Sequence, residues 1–171
     1  MLNAEQAKSM ADMFLGMIEH EMKTTRRVLA AVPEDKLDFK LGEKGRTARE
    51  LMWHLAASEP WFLSGIAAGE FSMEGEPPAP QTAAEVLAFY DKEAPATLER
   101  CKALAGEQLA KPVNFFNVFN LPAGMYLNFC MVHSVHHRGQ LSTYLRAMNA
   151  RVPDIYGGSA DEPFQMPATA C

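Results

Sequence analysis

Three histidines carry the chemistry that can be read from this chain. His133 and His137 lie four residues apart in His133-Ser134-Val135-His136-His137-Arg138-Gly139-Gln140, a stretch inside a run with helical spacing. A helix turns about 100° per residue, so side chains four apart share a face. Two imidazoles stacked in this way can grip one ion. A third histidine, His54, lies in an earlier helical run. Three neutral imidazoles that leave a coordination position open suit a catalytic rather than a closed structural metal site. The expectation is therefore that His54, His133 and His137 converge on a divalent metal ion.

The surroundings of the pair sharpen this expectation. With His133 at zero on a helical wheel, His137 falls about 40° away, Cys130 about 60°, and Gln140, Tyr126 and Tyr144 about 20°. That stripe is oddly polar for a face turned to a core, where an unpaired polar group costs about 1–3 kcal/mol. An ion would offset the cost for both imidazoles. The ordinary alternative is a pair of core histidines, each with its own hydrogen-bond partner. His136 sits about 100° from His137, on another face. His20, between Glu19 and Glu21, reads as solvated unless its face turns inward, and Cys130 reads as an inert buried thiol. Glu50 lies one turn before His54 and could hold its other ring nitrogen, although its place three residues after Thr47 suits a capping box better. Trp53 and Trp61 read as packing residues. Glycine-rich phosphate loops, Gly-x-Ser-x-Gly elbows and His-Glu-x-x-His helices are all missing, so protease-type hydrolysis is unsupported.

Four long amphipathic segments must position these side chains, and none of the chain reads convincingly as strand. The first helix is predicted from about Ala4 to Ala31, capped by Asn3 with Gln6 and ended by Pro33. The second opens on Thr47-Ala48-Arg49-Glu50, carries His54, and ends near Gly69, with a kink expected at Pro60. The third opens on Thr82-Ala83-Ala84-Glu85, bends at Pro95 and ends around Gly106 to Ala110. Residues Lys111 to Gly124, with Phe115, Phe116 and Phe119, read as a loop over one end of the bundle. The fourth helix starts near Pro122 or Ala123 and runs to about Ala150. The fold class is thus all-α, a four-helix bundle with long inter-helix connections and an irregular C-terminal tail. Residues 1–157 form the bundle and 158–171 the tail.

Composition bounds the partners. A chain of 171 residues builds one domain, and a net charge of −5 argues against a nucleic-acid surface. No apolar stretch reaches the roughly 20 residues that span a bilayer, and the start lacks the features of a signal peptide. Cys101, Cys130 and Cys171 form neither a disulfide framework nor a thiolate zinc site. The expected location is the cytoplasm.

The chain resembles the DinB/YfiT-like superfamily. The likeness rests on Glu50-Leu51-Met52-Trp53-His54-Leu55, on His133-x-x-x-His137-Arg138-Gly139-Gln140-Leu141 with Tyr144-Leu145-Arg146, and on Pro153-Asp154-Ile155-Tyr156-Gly157. It implies a four-helix bundle with a metal ion, nickel or zinc most often, on His54, His133 and His137. It also implies a homodimer. Relatives of this kind include bacillithiol transferases and a mycothiol-dependent maleylpyruvate isomerase. The implied function is a divalent-metal-dependent enzyme acting on a small-molecule substrate, a thiol-dependent S-transferase using a low-molecular-weight thiol. Gln140, Tyr126 and Tyr144 would be candidates to position substrate, and Arg138 would hold a carboxylate if it faced the cavity. The alternatives are a metal-dependent hydrolase, with Glu50 or Glu59 as base, and a non-enzymatic stress-associated metal-binding bundle.

Overall fold

Three of the long helices begin on reciprocal capping boxes. Asn3 and Gln6 start α1 (Ala4–Ala30), Thr47 and Glu50 start α2 (Ala48–Ala68), and Thr82 and Glu85 start α3 (Ala83–Lys102). In each, the cap side chain accepts from the third helical N–H while the third side chain accepts from the cap N–H, satisfying two donors that the helix itself cannot. The computed structural model describes residues 2–74 and 76–165. Cys171 and the last part of the expected tail, 166–171, lie outside them. The helices α2 and α3 run unbroken through Pro60 and Pro95.

Two expectations are corrected. The third helix stops at Lys102, and a separate short helix, α4 (Gly106–Ala110), follows. The aromatic connection is a two-stranded antiparallel hairpin, β1 (Pro112–Phe115) and β2 (Phe119–Pro122), with Phe115 opposite Phe119. Its turn places Phe116 at φ 53° and Asn117 at φ 60°, and Val118 donates its N–H to Phe115 O at 2.9 Å. Two consecutive left-handed residues make the turn that matches strand twist, usually signalled by Asn-Gly. Here a phenylalanine fills the first position, a bulky side chain in a conformation that disfavours it. A 3₁₀ turn at Ala123–Met125 then leads into α5 (Tyr126–Ala147).

Helix α2 packs against α3 and α5, and α1 against α3, α4 and α5. The core interleaves Leu15, Ile18 and Leu29 of α1 with Met52, Leu55 and Leu63 of α2, Leu98 of α3, and Leu127, Leu141 and Leu145 of α5. The loop after α2 is folded back by two glycines. Gly69 takes φ 75° to cap the helix. A Cβ on Gly65 would lie 2.4 Å from the Phe71 ring, so only glycine lets that ring settle against the helix. Phe71 thereby joins Phe62, Phe115 and Tyr126 in one aromatic cluster. Farther along the loop, Trp53 Nε1 donates to Pro77 O at 2.7 Å.

Two buried polar groups lock α5. Arg138, 1% exposed, pairs with Glu21 of α1 and donates to Thr25 Oγ1 and Tyr156 OH. Ser134 donates to Glu59 Oε2 at 2.9 Å, and Tyr90 of α3 donates to Glu59 Oε1 at 2.8 Å. Removing one partner of a buried ion pair strands the other. Arg138→Leu is expected to destabilise the fold by about 3 kcal/mol, measured by urea unfolding, with Ser134→Ala costing about 1 kcal/mol.

Candidate metal centre

Helix α2 presents His54, and one turn of α5 presents His133 and His137. All three are half-buried, and each offers a ring nitrogen that lies within 4.8 Å of the others'. Ring centroids are 5.0 Å apart for His54 and His133, 4.4 Å for His54 and His137, and 4.3 Å for His133 and His137. Among the described residues this is the group whose donor atoms could hold a metal ion. His136 is exposed, with its ring beside His137, and His20 is exposed on α1; neither belongs to the group.

The tautomers follow from the outer partners. Both carboxylate oxygens of Glu76 lie 3.2 Å from His54 Nδ1, and Gln140 Oε1 lies 2.7 Å from His137 Nδ1. A carboxylate and an amide oxygen only accept, so each Nδ1 carries the proton and donates it. When both rings are neutral, the form that binds metal, each Nε2 is left with a lone pair. Those two Nε2 atoms face each other at 3.2 Å. Two lone pairs at that distance repel, whereas a cation between them would bind both. In His133, Nδ1 is buried without a hydrogen-bond partner, a costly state for a polar atom. An all-imidazole donor set suits zinc, nickel and similar first-row ions. These observations fit a divalent ion.

Electrostatics keep the set ready for one. Burial, aided by the neighbouring histidines, pushes His133 down to about 3, and burial likewise lowers His137 to about 4 against the pull of Gln140. Both rings are thus neutral at pH 7, the form that binds metal. The Glu76 partner comes from the loop anchored by Trp53, far from any helical periodicity, and so carried no signal in the sequence. Glu50, the sequence's candidate for that role, is confined to the Thr47 cap.

The remaining candidates separate. Tyr126 is fully buried and donates to Val113 O at 2.8 Å, so it holds the hairpin rather than a substrate. Tyr144 donates to Arg46 O at 2.9 Å and pins the loop before α2. Burial raises the Glu59 carboxyl, against the lowering effect of Tyr90, Ser134 and Arg138, and seals it from the histidines' cavity. Cys130 is a buried thiol raised by burial. Arg138 belongs to the core. Trp61, read as packing, packs against the core and also lines a cavity.

That cavity, about 510 Å³, opens on His54 and His133 and is walled by Trp61, Phe62, Phe115 and Phe116. A second, of about 580 Å³, meets His54 and His137 on the other side, beside Gln140 and Tyr144. Arg46 lines both. No helix of the described residues is long and apolar enough to cross a membrane.

Comparison with known proteins agrees with this architecture. The model of a family described as "DinB family" matches residues 3–165. A Bacillus subtilis (strain 168) protein named "Uncharacterized protein YrdA" is 26% identical over 152 residues, covering 88% of this chain and 90% of the relative. "Uncharacterized protein YjoA" of the same organism is 28% identical over 128 residues, covering 72% and 81%. A crystal structure of a DinB-like protein from Bacillus cereus superposes with TM-score 0.73 at 24% identity, over 84% of this chain and 95% of that one. The crystal structure of the DinB-like YjoA superposes with TM-score 0.67 at 19% identity, over 88% and 98%. At these identities the two structures speak for the fold.

Two measurements probe the centre. His133 and His137 are held neutral in the folded state but take protons when unfolded. Metal-free protein should therefore lose stability as pH falls from 6.5 towards about 3. The loss should be shallower in His133→Leu, as read by denaturant midpoints across that range. Glu76→Ala and Gln140→Ala should each weaken zinc binding about 10- to 100-fold, measured by competition with a chelating dye.

Proposed function

We propose that this chain, which belongs to the DinB family, is a divalent-metal-dependent enzyme that transfers a low-molecular-weight thiol to an electrophilic small molecule. The observation that carries the metal dependence is the pair of Nε2 atoms of His54 and His137 facing each other at 3.2 Å, with both Nδ1 protons taken by Glu76 and Gln140. The thiol chemistry rests on the resemblance of the last-helix motif to thiol-dependent relatives, and two separate cavities flanking the histidines give room for two reactants.

A bound divalent ion would supply Lewis acidity, lowering the pKa of a thiol at neutral pH. The chain's own residues do the rest. Glu76 and Gln140 hold the imidazole tautomers. The aromatic walls of the cavity beside His54 and His133 exclude water from the reacting sulfur. In the transfer, the S–H proton passes to solvent, sulfur gives its electron pair to the electrophilic carbon, and the leaving group departs with the pair of its broken bond.

The hydrolytic alternative is not favoured by the geometry. It leans on Glu50 or Glu59 as base, yet one is committed to a helix cap and the other is buried against Tyr90 and Ser134. Nickel or zinc is the ion proposed, on the strength of the family resemblance, and the three-imidazole set is compatible with either.

The test uses tag-free protein, chelated and then reloaded with nickel or zinc. About one ion per chain should bind, and both His54→Ala and His137→Ala should abolish its retention. With an aryl halide as test electrophile, thiol consumption should need the ion and fall more than about 100-fold in His137→Ala. Ester hydrolysis at equal rate without thiol would replace the transferase reading with the hydrolytic one. Ion binding without any turnover would leave a metal-binding bundle.

A further inference from the structure

Arg46 is the one residue that lines both cavities beside the histidines and carries a full positive charge. Its side chain is exposed and makes neither a hydrogen bond nor an ion pair among the described residues. Its backbone is nonetheless held. The carbonyl accepts from Tyr144 OH at 2.9 Å, and the next residue, Thr47, is bridged to Lys40 and caps α2. A Cβ on the preceding Gly45 would lie 2.8 Å from Leu41 O and 3.0 Å from Tyr144 OH, so the loop sits tightly against α5. The guanidinium is thus a free charge on a fixed base.

The acids on the same cavity are Glu74 and Glu76. Glu76 lies behind the ring of His54, bonded to Nδ1 on the side away from the Nε2 pair. Glu74 is exposed at the rim. With an ion on the three imidazoles, the inner end of the cavity therefore presents two cationic centres, the ion and Arg46, while Glu50, close enough to feel the Arg46 charge, is held on the Thr47 cap. Two cations so placed call for an anionic ligand group. The rest of the cavity is apolar, and the hairpin turn holds Phe116 with φ 53° to put its ring in the wall, stacked at 6.3 Å on Trp61. Sparsely populated backbone at a cavity wall fits a ligand-binding role.

We infer that this aromatic-walled cavity binds a carboxylate-bearing aromatic compound, its ring against Trp61, Phe115 and Phe116 and its carboxylate on Arg46. This names the substrate class for the proposed reaction and rests on that reading for the bound ion. Guanidinium recognises a carboxylate through two parallel N–H donors, and the aromatic walls recognise a flat ring by offset or edge contacts. The volume of about 510 Å³ suits one small aromatic molecule.

The test is calorimetric titration of 2-naphthoate and of its neutral amide into zinc-loaded protein, with zinc content measured in every sample. Wild type should bind the carboxylate at least about 10-fold tighter than the amide, the size of a charged hydrogen bond gained. Arg46→Gln should erase that preference while leaving amide binding unchanged. Phe116→Gly, which keeps the left-handed turn and removes the ring, should weaken both probes about equally. Equal affinity of wild type for acid and amide would overturn the inference. So would an Arg46→Gln protein that keeps the preference, which would place the carboxylate on the ion alone. If zinc fails to load, the metal reading falls by itself. The same titrations on metal-free protein then decide Arg46 separately: an acid preference lost in Arg46→Gln sustains its role, and no preference ends it.

Discussion

Helix α5 has to satisfy two sets of polar side chains that lie about 100° apart on its surface. Ser134 and Arg138 turn inward to Glu59, Thr25 and Glu21, while their immediate predecessors, His133 and His137, turn to His54 on α2. Each set constrains the other. Rotating α5 to relieve the histidines would pull Arg138, 1% exposed, from its carboxylate. Rotating it the other way would strand Glu59. A buried charge without its partner is among the more costly defects a core can hold, so the rotational setting of α5 is strongly held. The approach of the His54 and His137 nitrogens to 3.2 Å is its consequence.

The same rigidity accounts for the two kinds of outer support at the histidines. Gln140 lies on α5 itself, three residues from His137, and moves with it. Glu76 arrives on the connection after α2, which Trp53 anchors through Pro77 and which Phe71 ties to the aromatic cluster. The connection therefore does more than join α2 to α3. It closes one side of the aromatic-walled cavity and places a carboxylate behind His54. The hairpin does the corresponding work on the other side, where Tyr126 fixes β1 to the start of α5 and Phe115 and Phe116 complete the wall.

Arg138 and Arg46 show how position decides the use of one side-chain type. The first sits in the histidine motif, where a substrate role is the natural guess, yet it is consumed by the core. The second stands in an unremarked polar loop and ends beside both cavities with its charge unpaired. Nothing in the local sequence of either tells them apart, because the difference lies in whether a remote acid, as Glu21 does for Arg138, forms an ion pair with the guanidinium.

The helices were legible because their signals are local: capping boxes at Asn3, Thr47 and Thr82, and apolar spacing that matches a 3.6-residue period. The histidine pair was legible for the same reason, since four residues make one turn, and His54 stood out as a third imidazole in a helical run, a choice the likeness to a known family shares. The hairpin was not, because its turn uses Phe116 and Asn117 in place of the glycine that usually announces such a turn. Nor were Glu76, Arg46 and the fate of Glu59, which depend on contacts between residues 22 to 98 apart along the chain, and no periodicity encodes these. What the residues by themselves determined was which helices form and which side chains share a face. Only the tertiary structure decided which faces meet, and so which polar groups are spent inside the core and which are left to bind.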